Sequence, residues 1–406
     1  MREHARFQAV VDILEQLAAK ESRGETVLQE YFRARRYIGG ADRRFVSQTV
    51  WDIVRCFGRF RFLKPDVTSR EALAAYLFYG QRTAEDIDAV FSGEKFAPAV
   101  LTDAEKMFLT RLPETMPDAS LEAPEFLKNI IPLSVLTAMT TAAPTDLRVN
   151  TLRTTREKVI AALTDQGIDA KETPLSPVGV RVAGRPDIKR TSLFENGDVD
   201  FQDEGSQLAS LLTRARAGET VADWCAGGGG KTLAMAAMME NKGRIDAVDF
   251  YPYRMKELPE RLRRAGVKNV RLPDGYAQTE KEYDAVLVDA PCSGTGTWRR
   301  FPLLRWRTTP RSVADVVETQ AEILRTAATH VRKGGRLIYV TCSVLDVENK
   351  NQIESFLSDR PDFAAEDLSA SYRSLTGRDK TGPTISLSPD ADGTDGFFIA
   401  SLQRGK

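Results

Sequence analysis

The strongest constraint on the fold is a regular alternation of short apolar runs and amphipathic runs that begins near residue 201. The short runs, typical of buried strands, include TVADWCA, RIDAVDF, YDAVLVDA and GRLIYVTC. Stretches with apolar residues at helical spacing separate them, among them a long helix near 312–332. This alternation predicts an α/β fold with a parallel sheet covered by helices on both faces. Ligands bind such sheets at the carboxyl ends of the strands, so residues there are candidates for function.

Two segments of different character precede the alternating region. Residues 1–118 carry apolar residues at helical spacing and little strand-type alternation, which predicts an all-helical domain. Residues 119–200 combine strand patterns with one helical pattern, which predicts a small α+β module. We therefore expect three domains, the third being a catalytic domain over residues 201–406.

Composition limits the cellular setting and the chemistry. Lys plus Arg and Asp plus Glu each number 57, so the net charge is zero and any basic surface must be local. Four scattered cysteines and no signal-like or membrane-length apolar run favour a reducing, cytoplasmic setting. With two histidines in the chain, imidazole-dependent triads and most zinc sites are disfavoured. We expect a monomer with neither a metal nor a membrane partner.

A glycine-rich loop lies between the first strand and helix of this region. Gly227–Gly230 allow the backbone to turn sharply and to approach a ligand, and Lys231 follows. A phosphate-binding P-loop needs a further glycine five residues before Gly230, and that position is Cys225. The loop therefore fits a P-loop poorly, although a P-loop nucleotidase stays an alternative.

Acidic residues follow the next two strands. Asp249 stands where a carboxylate can accept hydrogen bonds from ribose hydroxyls, and Asp274 can accept from an adenine amino group. Lys231 can meet a carboxylate. S-adenosylmethionine carries a ribose, an adenine and a carboxylate, so this set predicts S-adenosylmethionine as the cofactor.

Asp289, Cys292 and Cys342 fall at the ends of two further strands and should meet at the same rim. Cys56 and Cys225 are better explained as packed side chains. Methylation of cytosine at carbon 5 needs a thiolate that attacks carbon 6, and an acidic residue near ring nitrogen 3. The residues alone allow either Cys292 or Cys342 to be the nucleophile.

The motifs resemble a known family. DAPCSGTG together with VTCSVLDVEN is similar to the paired signature of the Nop/Sun RNA cytosine-5 methyltransferases. WCAGGGGKT resembles the cofactor loop of that family, and LRVNTLRT, FQDEGSQL and DGFFIASL also match it, so the resemblance covers residues 125–406. The N-terminal helices resemble the NusB-like RNA-binding domain of the RsmB-like branch, which modifies small-subunit ribosomal RNA. The resemblance implies a Rossmann-like methyltransferase domain that uses S-adenosylmethionine, an RRM-like α+β module and a NusB-like helical domain.

The resemblance also implies roles for individual residues. Cys342 would be the nucleophile, Cys292 would assist product release, and Asp289 would face the cytosine. The implied cofactor residues are Cys225, Ala226, Gly227, Gly228, Gly229, Gly230, Lys231, Asp249, Asp274 and Asp289. The chain departs from the family pattern at three positions: Gly228 replaces a proline, Leu303 an acidic residue and Asp392 a histidine.

Basic and aromatic residues directly after the Pro-Cys motif predict an RNA contact. They are Arg299, Arg300, Arg305, Arg307 and Trp306. A second cluster, in the helical region, comprises Arg33, Arg35, Arg36, Arg43 and Arg44. We expect 5-methylcytosine formation on 16S ribosomal RNA. The alternatives are a transfer RNA methyltransferase and a non-catalytic RNA-binding ribosome assembly factor.

Overall fold

The structure is a computed structural model that describes residues 1–19, 24–279 and 282–406. These residues form two compact units. The first comprises residues 1–142 together with 298–307, and the second comprises residues 143–297 together with 308–406. This grouping differs from the predicted boundaries at residues 118 and 200.

The first unit is helical. Its first eight helices are α1 (Glu3–Ala19), α2 (Gly24–Ala34), α3 (Gly40–Arg55), α4 (Phe57–Leu63), α5 (Ser69–Tyr79), α6 (Ala84–Val90), α7 (Asp103–Thr110) and α8 (Leu133–Ala138). Helices α5, α6 and α7 are each preceded by an N-cap threonine that forms a capping box with the acidic residue three positions later. Apolar residues at helical spacing form the core, and Ile13, Val50 and Leu73 are fully buried in it.

Residues 298–307 complete the core of this helical unit. The Arg305 guanidinium contacts a carboxylate oxygen of Glu122 at 3.3 Å and donates to the carbonyls of Arg55 and Met139. Glu122 also accepts from the Arg59 side chain at 2.9 Å. Through these bonds, Glu122 and Met139 are joined to the helices of the first unit.

The second unit begins with a four-stranded antiparallel sheet. The elements are β1 (Thr145–Val149), α9 (Arg156–Asp165), β2 (Ala170–Glu172), β3 (Gly179–Val182), α10 (Ser192–Glu195) and β4 (Val199–Phe201). The strand order of the sheet is β2-β3-β1-β4. On β3, Arg181 pairs with Asp146 at 2.7 Å and with Glu204, beyond β4, at 3.2 Å. This shared ion pair joins the small sheet to the residues that follow it.

A larger sheet of eight strands forms the rest of the second unit. The elements are α11 (Glu204–Leu211), β5 (Thr220–Asp223), α12 (Gly230–Met238), β6 (Arg244–Ala247), α13 (Leu258–Ala265), β7 (Val270–Arg271), β8 (Tyr283–Asp289), α14 (Leu304–Arg307, within the helical unit), α15 (Pro310–Thr329), β9 (Val331–Thr341), α16 (Lys350–Asp359), β10 (Phe363–Glu366), α17 (Ser369–Thr376), β11 (Thr384–Leu387) and β12 (Phe397–Arg404). The order is β10-β12-β9-β8-β5-β6-β7, and β11 also pairs with β12.

The predicted α/β, Rossmann-like fold class is confirmed, with one difference. Strands β5 to β9 pair in parallel, as the alternation predicts. The C-terminal strand β12 runs antiparallel to β9, and β10 and β11 pair antiparallel with β12. The parallel strands direct the carboxyl ends of β5, β6, β8 and β9 to one edge of the sheet. Across the described residues, no helix has the length and apolar character needed to cross a bilayer.

Candidate active site

Two cysteines meet at the carboxyl edge of the large sheet. Cys292 follows β8 and Cys342 follows the neighbouring strand β9, and their Sγ atoms lie 3.4 Å apart. Both side chains are half-buried. The hydrogen bond with Cys292, followed by burial, raises the pKa of the Cys342 thiol well above its ordinary value. Cys342 is therefore held as a thiol whose ionisation needs help from its surroundings.

A buried carboxylate, Glu348, joins the two cysteine-bearing loops. One of its oxygens accepts from the Ser293 backbone N–H at 2.8 Å and from the Gln320 side chain at 3.0 Å. The other accepts from the hydroxyl of Ser343 at 2.6 Å and from the hydroxyl of Ser293. Ser293 follows Cys292 and Ser343 follows Cys342, so one fully buried side chain fixes both loops. The sequence analysis missed Glu348, because a single glutamate after a strand carries no sign that it will be buried.

Two glycines bring the same loops into backbone contact. Gly296 donates its N–H to the carbonyl of Cys342 at 2.9 Å, and Gly396 donates to the carbonyl of Gly296 at 2.8 Å. A Cβ at Gly296 would lie 2.3 Å from the Gly396 carbonyl oxygen. Any side chain at Gly296 would therefore separate the Pro-Cys loop from the end of β9.

An ion pair lies at the ends of β5 and β8. The Lys231 ammonium, on the first turn of α12, contacts Asp289 at 2.6 Å. Lys231 is almost buried, whereas a third of the Asp289 side chain is exposed. The sequence analysis assigned these residues to different ligand groups and did not predict their pairing. A contact of Lys231 with a ligand carboxylate stays a prediction.

The glycine loop is bound to Asp249. Gly227 and Gly229 adopt left-handed backbone angles, with φ of 50° and 80°, which favour glycine. The Gly227 N–H donates to one carboxylate oxygen of Asp249 at 2.8 Å, and the Tyr251 N–H donates to the other at 2.8 Å. In the same loop Cys225 is buried, and burial raises the pKa of its thiol well above the ordinary value. The loop and Asp249 are thus brought together, and Cys225 is unsuited to act as a thiolate.

Gly228, which stands where the family has proline, is held by an arginine. The Arg261 guanidinium donates to the Gly228 carbonyl and pairs with Asp200 at 2.8 Å. A Cβ at Gly228 would lie 3.0 Å from the guanidinium. This contact restrains a turn that the glycine would otherwise loosen.

Asp223, at the end of β5, is a further candidate that the sequence analysis missed. Its Oδ2 accepts from the Thr232 hydroxyl at 2.6 Å. Its Oδ1 has no hydrogen-bond partner in the part of the chain that the structure describes, although the residue is fully buried. Burial raises the pKa of Asp223 to about 7. The rule that selected Asp249, an acidic residue at a strand end, would also have found Asp223.

Asp274 lies in the turn after β7, and its side chain is exposed. Two residues later, the Tyr276 hydroxyl donates to the Trp224 carbonyl at 2.9 Å, and the two rings lie at an interplanar angle of 38° with centroids 4.8 Å apart. Because Trp224 directly precedes Cys225, this segment lies beside the glycine loop. The predicted adenine contact of Asp274 stays a prediction.

The predicted RNA contacts after the Pro-Cys motif need correction at two positions. Arg305 is fully buried and engaged by Glu122, and Arg299 is 5% exposed. The Trp306 ring is packed so closely that a Cβ at Gly58 would lie 2.7 Å from it. The buried Arg305 and Arg299 side chains are not available to RNA, whereas Trp306 is half-buried and its RNA contact stays a prediction. Of the five predicted residues, Arg307 is exposed and Arg300 is partly exposed, and their RNA contact stays a prediction.

The other two departures from the family pattern have local structural explanations. Leu303 is partly buried against the helical core, where a Cβ at Gly24 would lie 2.6 Å from it, so an acidic residue would not fit this packing. Asp392 is buried, pairs with Lys380 at 3.0 Å and accepts from the Ser388 N–H at 2.9 Å. It closes the turn between β11 and β12.

Comparison with known proteins agrees with this geometry. Residues 210–403 match the family model for 16S rRNA methyltransferase RsmB/F, and residues 133–189 match the ferredoxin-like domain model of RsmF/B-like methyltransferases. These matches support the assignment of the chain to the Nop/Sun family, in its RsmB-like branch. Its predicted family is therefore confirmed, and S-adenosylmethionine is the cofactor of this family.

Two curated Nop/Sun relatives show how far the similarity extends. The probable ribosomal RNA small subunit methyltransferase B of Bacillus subtilis is 34% identical over 269 residues, which is 64% of this chain and 59% of the relative. The ribosomal RNA small subunit methyltransferase B of Photorhabdus laumondii is 34% identical over 267 residues, with 64% and 60% covered. The chain thus matches about three fifths of the length of these relatives.

Solved structures share the fold over a longer part of the chain. The crystal structure of PH0851 has a TM-score of 0.77 and 26% identity, and it covers 100% of this chain and 99% of its own. A methyltransferase homolog protein from Pyrococcus horikoshii has a TM-score of 0.57 and 27% identity, with 75% and 100% covered. NSun6 from Pyrococcus horikoshii, solved with SFG, has a TM-score of 0.61 at 22% identity and shares the fold.

Proposed function

We propose that this protein is an S-adenosylmethionine-dependent RNA methyltransferase that forms 5-methylcytosine, with small-subunit ribosomal RNA as its substrate. The observation that carries the proposal is the pair of thiols 3.4 Å apart beside the Lys231–Asp289 ion pair. A fold shared with proteins of unrelated activity would not need two thiols in contact at a ligand-binding edge. The names of the relatives support the choice of ribosomal RNA.

Cys342 forms the covalent bond in this proposal. Its thiolate Sγ attacks carbon 6 of the cytosine, and the ring electrons move towards nitrogen 3, which makes carbon 5 nucleophilic. Asp289 and Lys231 offer one acceptor and one donor together, which suits the amine and ring-nitrogen edge of cytosine. Because the pKa of Cys342 is raised, its side chain is a neutral thiol before the substrate binds. The thiol must therefore lose its proton after the cytosine has bound, before Sγ can attack carbon 6.

The residues present fit the cofactor. Asp223 supplies a buried carboxylate oxygen that accepts no hydrogen bond from residues 1–19, 24–279 or 282–406, and such an oxygen suits a cationic amino group. The glycine loop presents backbone at the same edge, and Asp249 stands beside it to receive a ribose. When bound, S-adenosylmethionine supplies the methyl group from its sulfonium to carbon 5.

Cys292 acts in product release. After methyl transfer, removal of the carbon 5 proton returns the electrons to the ring and expels the Cys342 thiolate, so the Sγ–carbon 6 bond breaks. Cys292, in hydrogen-bond contact with Cys342, is placed to accept the carbon 5 proton as the Cys342 thiolate leaves carbon 6. The family resemblance supports this division of roles, since contact alone would permit either thiol to attack.

The experiment that tests the proposal combines methyl transfer with adduct detection. Purified protein, labelled S-adenosylmethionine and separate 16S, 23S and transfer RNA fractions should give label in the 16S fraction, located at cytosines by bisulfite sequencing. Label confined to transfer RNA would identify a transfer RNA methyltransferase. No label in any fraction would favour a non-catalytic RNA-binding assembly factor.

Denaturing gels distinguish the roles of the two thiols. The Cys292→Ala variant should accumulate a protein–RNA adduct, because attack proceeds while release is impaired. The Cys342→Ala variant should form none. The reverse pattern would exchange the assignments, and the half-buried Cys56, whose pKa burial raises to about 11, provides a matched Cys56→Ala control.

A further inference from the structure

The helical unit contains a cavity of about 720 Å³ that the methyl-transfer chemistry does not use. It lies among the start of α1, the residues that follow α2 and the turn at residues 93–98. Its volume falls in the range of small-molecule sites, roughly 300–1,000 Å³. We call it the aromatic pocket and define it by Arg35, Tyr37, Lys95 and Phe96.

Two aromatic side chains at the pocket are exposed to solvent. Tyr37 is 75% exposed and Phe96 is 69% exposed, although most apolar side chains of this unit lie in its core. A third ring, Tyr31, lines the pocket from within, and the Arg35 guanidinium lies 3.9 Å from its centroid. Exposed rings beside a cavity offer flat surfaces on which another planar group can stack.

The backbone that carries Phe96 is held in an unfavourable conformation. Phe96 has a φ of 72°, in the left-handed region that bulky residues avoid. The Gly93 N–H donates to the Pro98 carbonyl at 3.0 Å and the Ala97 N–H donates to the Glu94 carbonyl at 2.9 Å, which closes the turn around it. Strained positions that persist under such constraint are often functional. This turn presents the Phe96 ring, with the Lys95 ammonium 5.2 Å from its centroid.

The charge at the pocket is positive. Three cationic side chains line it: Arg2, Arg35 and Lys95. Among the described lining residues, one side chain, that of Asp12, carries a carboxylate. The Tyr31 hydroxyl donates to Asp12 at 2.8 Å and the Gln8 amide donates to it at 2.6 Å, so protein groups already engage this carboxylate. An incoming ligand therefore meets cations next to aromatic faces, a combination that suits a phosphate next to a base.

We propose that the aromatic pocket binds an unpaired nucleotide of RNA, with its base stacked on Tyr37 or Phe96 and its phosphate at Arg35 and Lys95. The residues that line the pocket are different from those of the cysteine site, and the pocket would hold the substrate at a second point. The choice of RNA as the ligand rests on the proposed function.

Fluorescence anisotropy of the full chain with a labelled decamer of uridine tests the pocket. Tyr37→Ala and Phe96→Gly should each raise the Kd about tenfold, in line with the loss of one base–aromatic stack. Glycine at residue 96 suits the left-handed backbone, so this variant should fold. Phe62, 64% exposed on α4 and outside the pocket lining, gives the matched control Phe62→Ala, which should leave the Kd unchanged.

Photocrosslinking with a uridine decamer that carries 4-thiouridine tests where on the protein the RNA binds. Crosslinks within residues 31–37 or 92–98 would support the pocket. Crosslinks confined to other segments, Kd values for the two pocket variants equal to that of the control, or no binding of the decamer by the wild-type chain would each overturn it.

These outcomes separate the pocket from the proposed function. If the wild-type protein methylates RNA and the pocket variants bind the decamer normally, the pocket assignment alone is wrong. If the wild-type protein methylates no RNA and the pocket variants still lose affinity for the decamer, the methyltransferase assignment alone is wrong.

Discussion

Replacing Glu348 by alanine should disable the two thiols without altering either cysteine. Four hydrogen bonds from Ser293, Ser343 and Gln320 end on this buried carboxylate. Hydrogen bonds to charged groups contribute roughly 1.5–3 kcal/mol each, but water can enter the space that alanine leaves. We expect the free energy of unfolding to fall by about 3–5 kcal/mol, as when a buried charged network is broken.

The larger effect should be on the geometry of the thiols. Without Glu348 the loops that follow Cys292 and Cys342 lose their common anchor, and a displacement of about 1 Å can slow a positioned reaction roughly 100-fold. Glutamine should be milder, because its oxygen can accept from the Ser293 N–H and Gln320 while the serine hydroxyls turn to accept from its amide. We expect Glu348→Gln to lose about 1–2 kcal/mol of stability and to keep most of the rate.

Two assays measure this effect. The rate of protein–RNA adduct formation reports on attack, and the rate at which diamide oxidises Cys292 and Cys342 to a disulfide reports on their proximity. Both rates should fall in Glu348→Ala and stay near wild type in Glu354→Ala, a control on the exposed face of α16. Wild-type rates for both reactions in a folded Glu348→Ala protein would refute the anchoring role.

Three further predictions concern stability and binding. Because the pKa of Asp223 is raised from 3.8 to about 7, the folded state retains a proton between about pH 4 and 7 that the unfolded chain releases. The contribution of this group to the free energy of unfolding is therefore fully present below about pH 4 and is lost as the pH rises towards 7. The loss amounts to about 4 kcal/mol, and chemical denaturation should find it in the wild type and not in Asp223→Asn. Arg305→Met should lower the unfolding free energy by about 3 kcal/mol, since it removes a buried partner of Glu122. Arg307→Met, at an exposed position, should lower it by less than about 1 kcal/mol and weaken RNA binding in anisotropy. Gly229→Ala should cost about 1–2 kcal/mol for its left-handed φ of 80° and weaken S-adenosylmethionine binding in calorimetry.

The sequence was most informative where periodicity and chain direction decide position. Parallel strands that end in Asp289 and Thr341 must direct their following residues to one edge, and the structure brings Cys292 and Cys342 into contact there. Asp223 escaped notice although the same rule applies to it. The antiparallel strands β11 and β12 were also missed, because alternation along the chain does not reveal how a terminal strand will pair.

Burial of charged residues was the least predictable feature. Arg305 and Arg307 are two positions apart in one basic run, but one is fully buried and the other exposed. The difference depends on Glu122, which lies far away in the sequence and meets Arg305 only in the folded chain. Glu348 is a similar case, since its four donors come from three separate segments.

The discontinuity of the helical unit has a consequence for protein synthesis. Its core is complete only when residues 298–307 have joined residues 1–142, so the ribosome must translate more than 150 further residues before Arg305 can meet Glu122. Cotranslational folding in order from the N-terminus cannot finish this unit first, as it does for many multidomain chains. A fragment that ends at residue 142 should therefore emerge with Glu122 lacking one of its arginine partners, and it should depend on chaperones or aggregate when expressed alone.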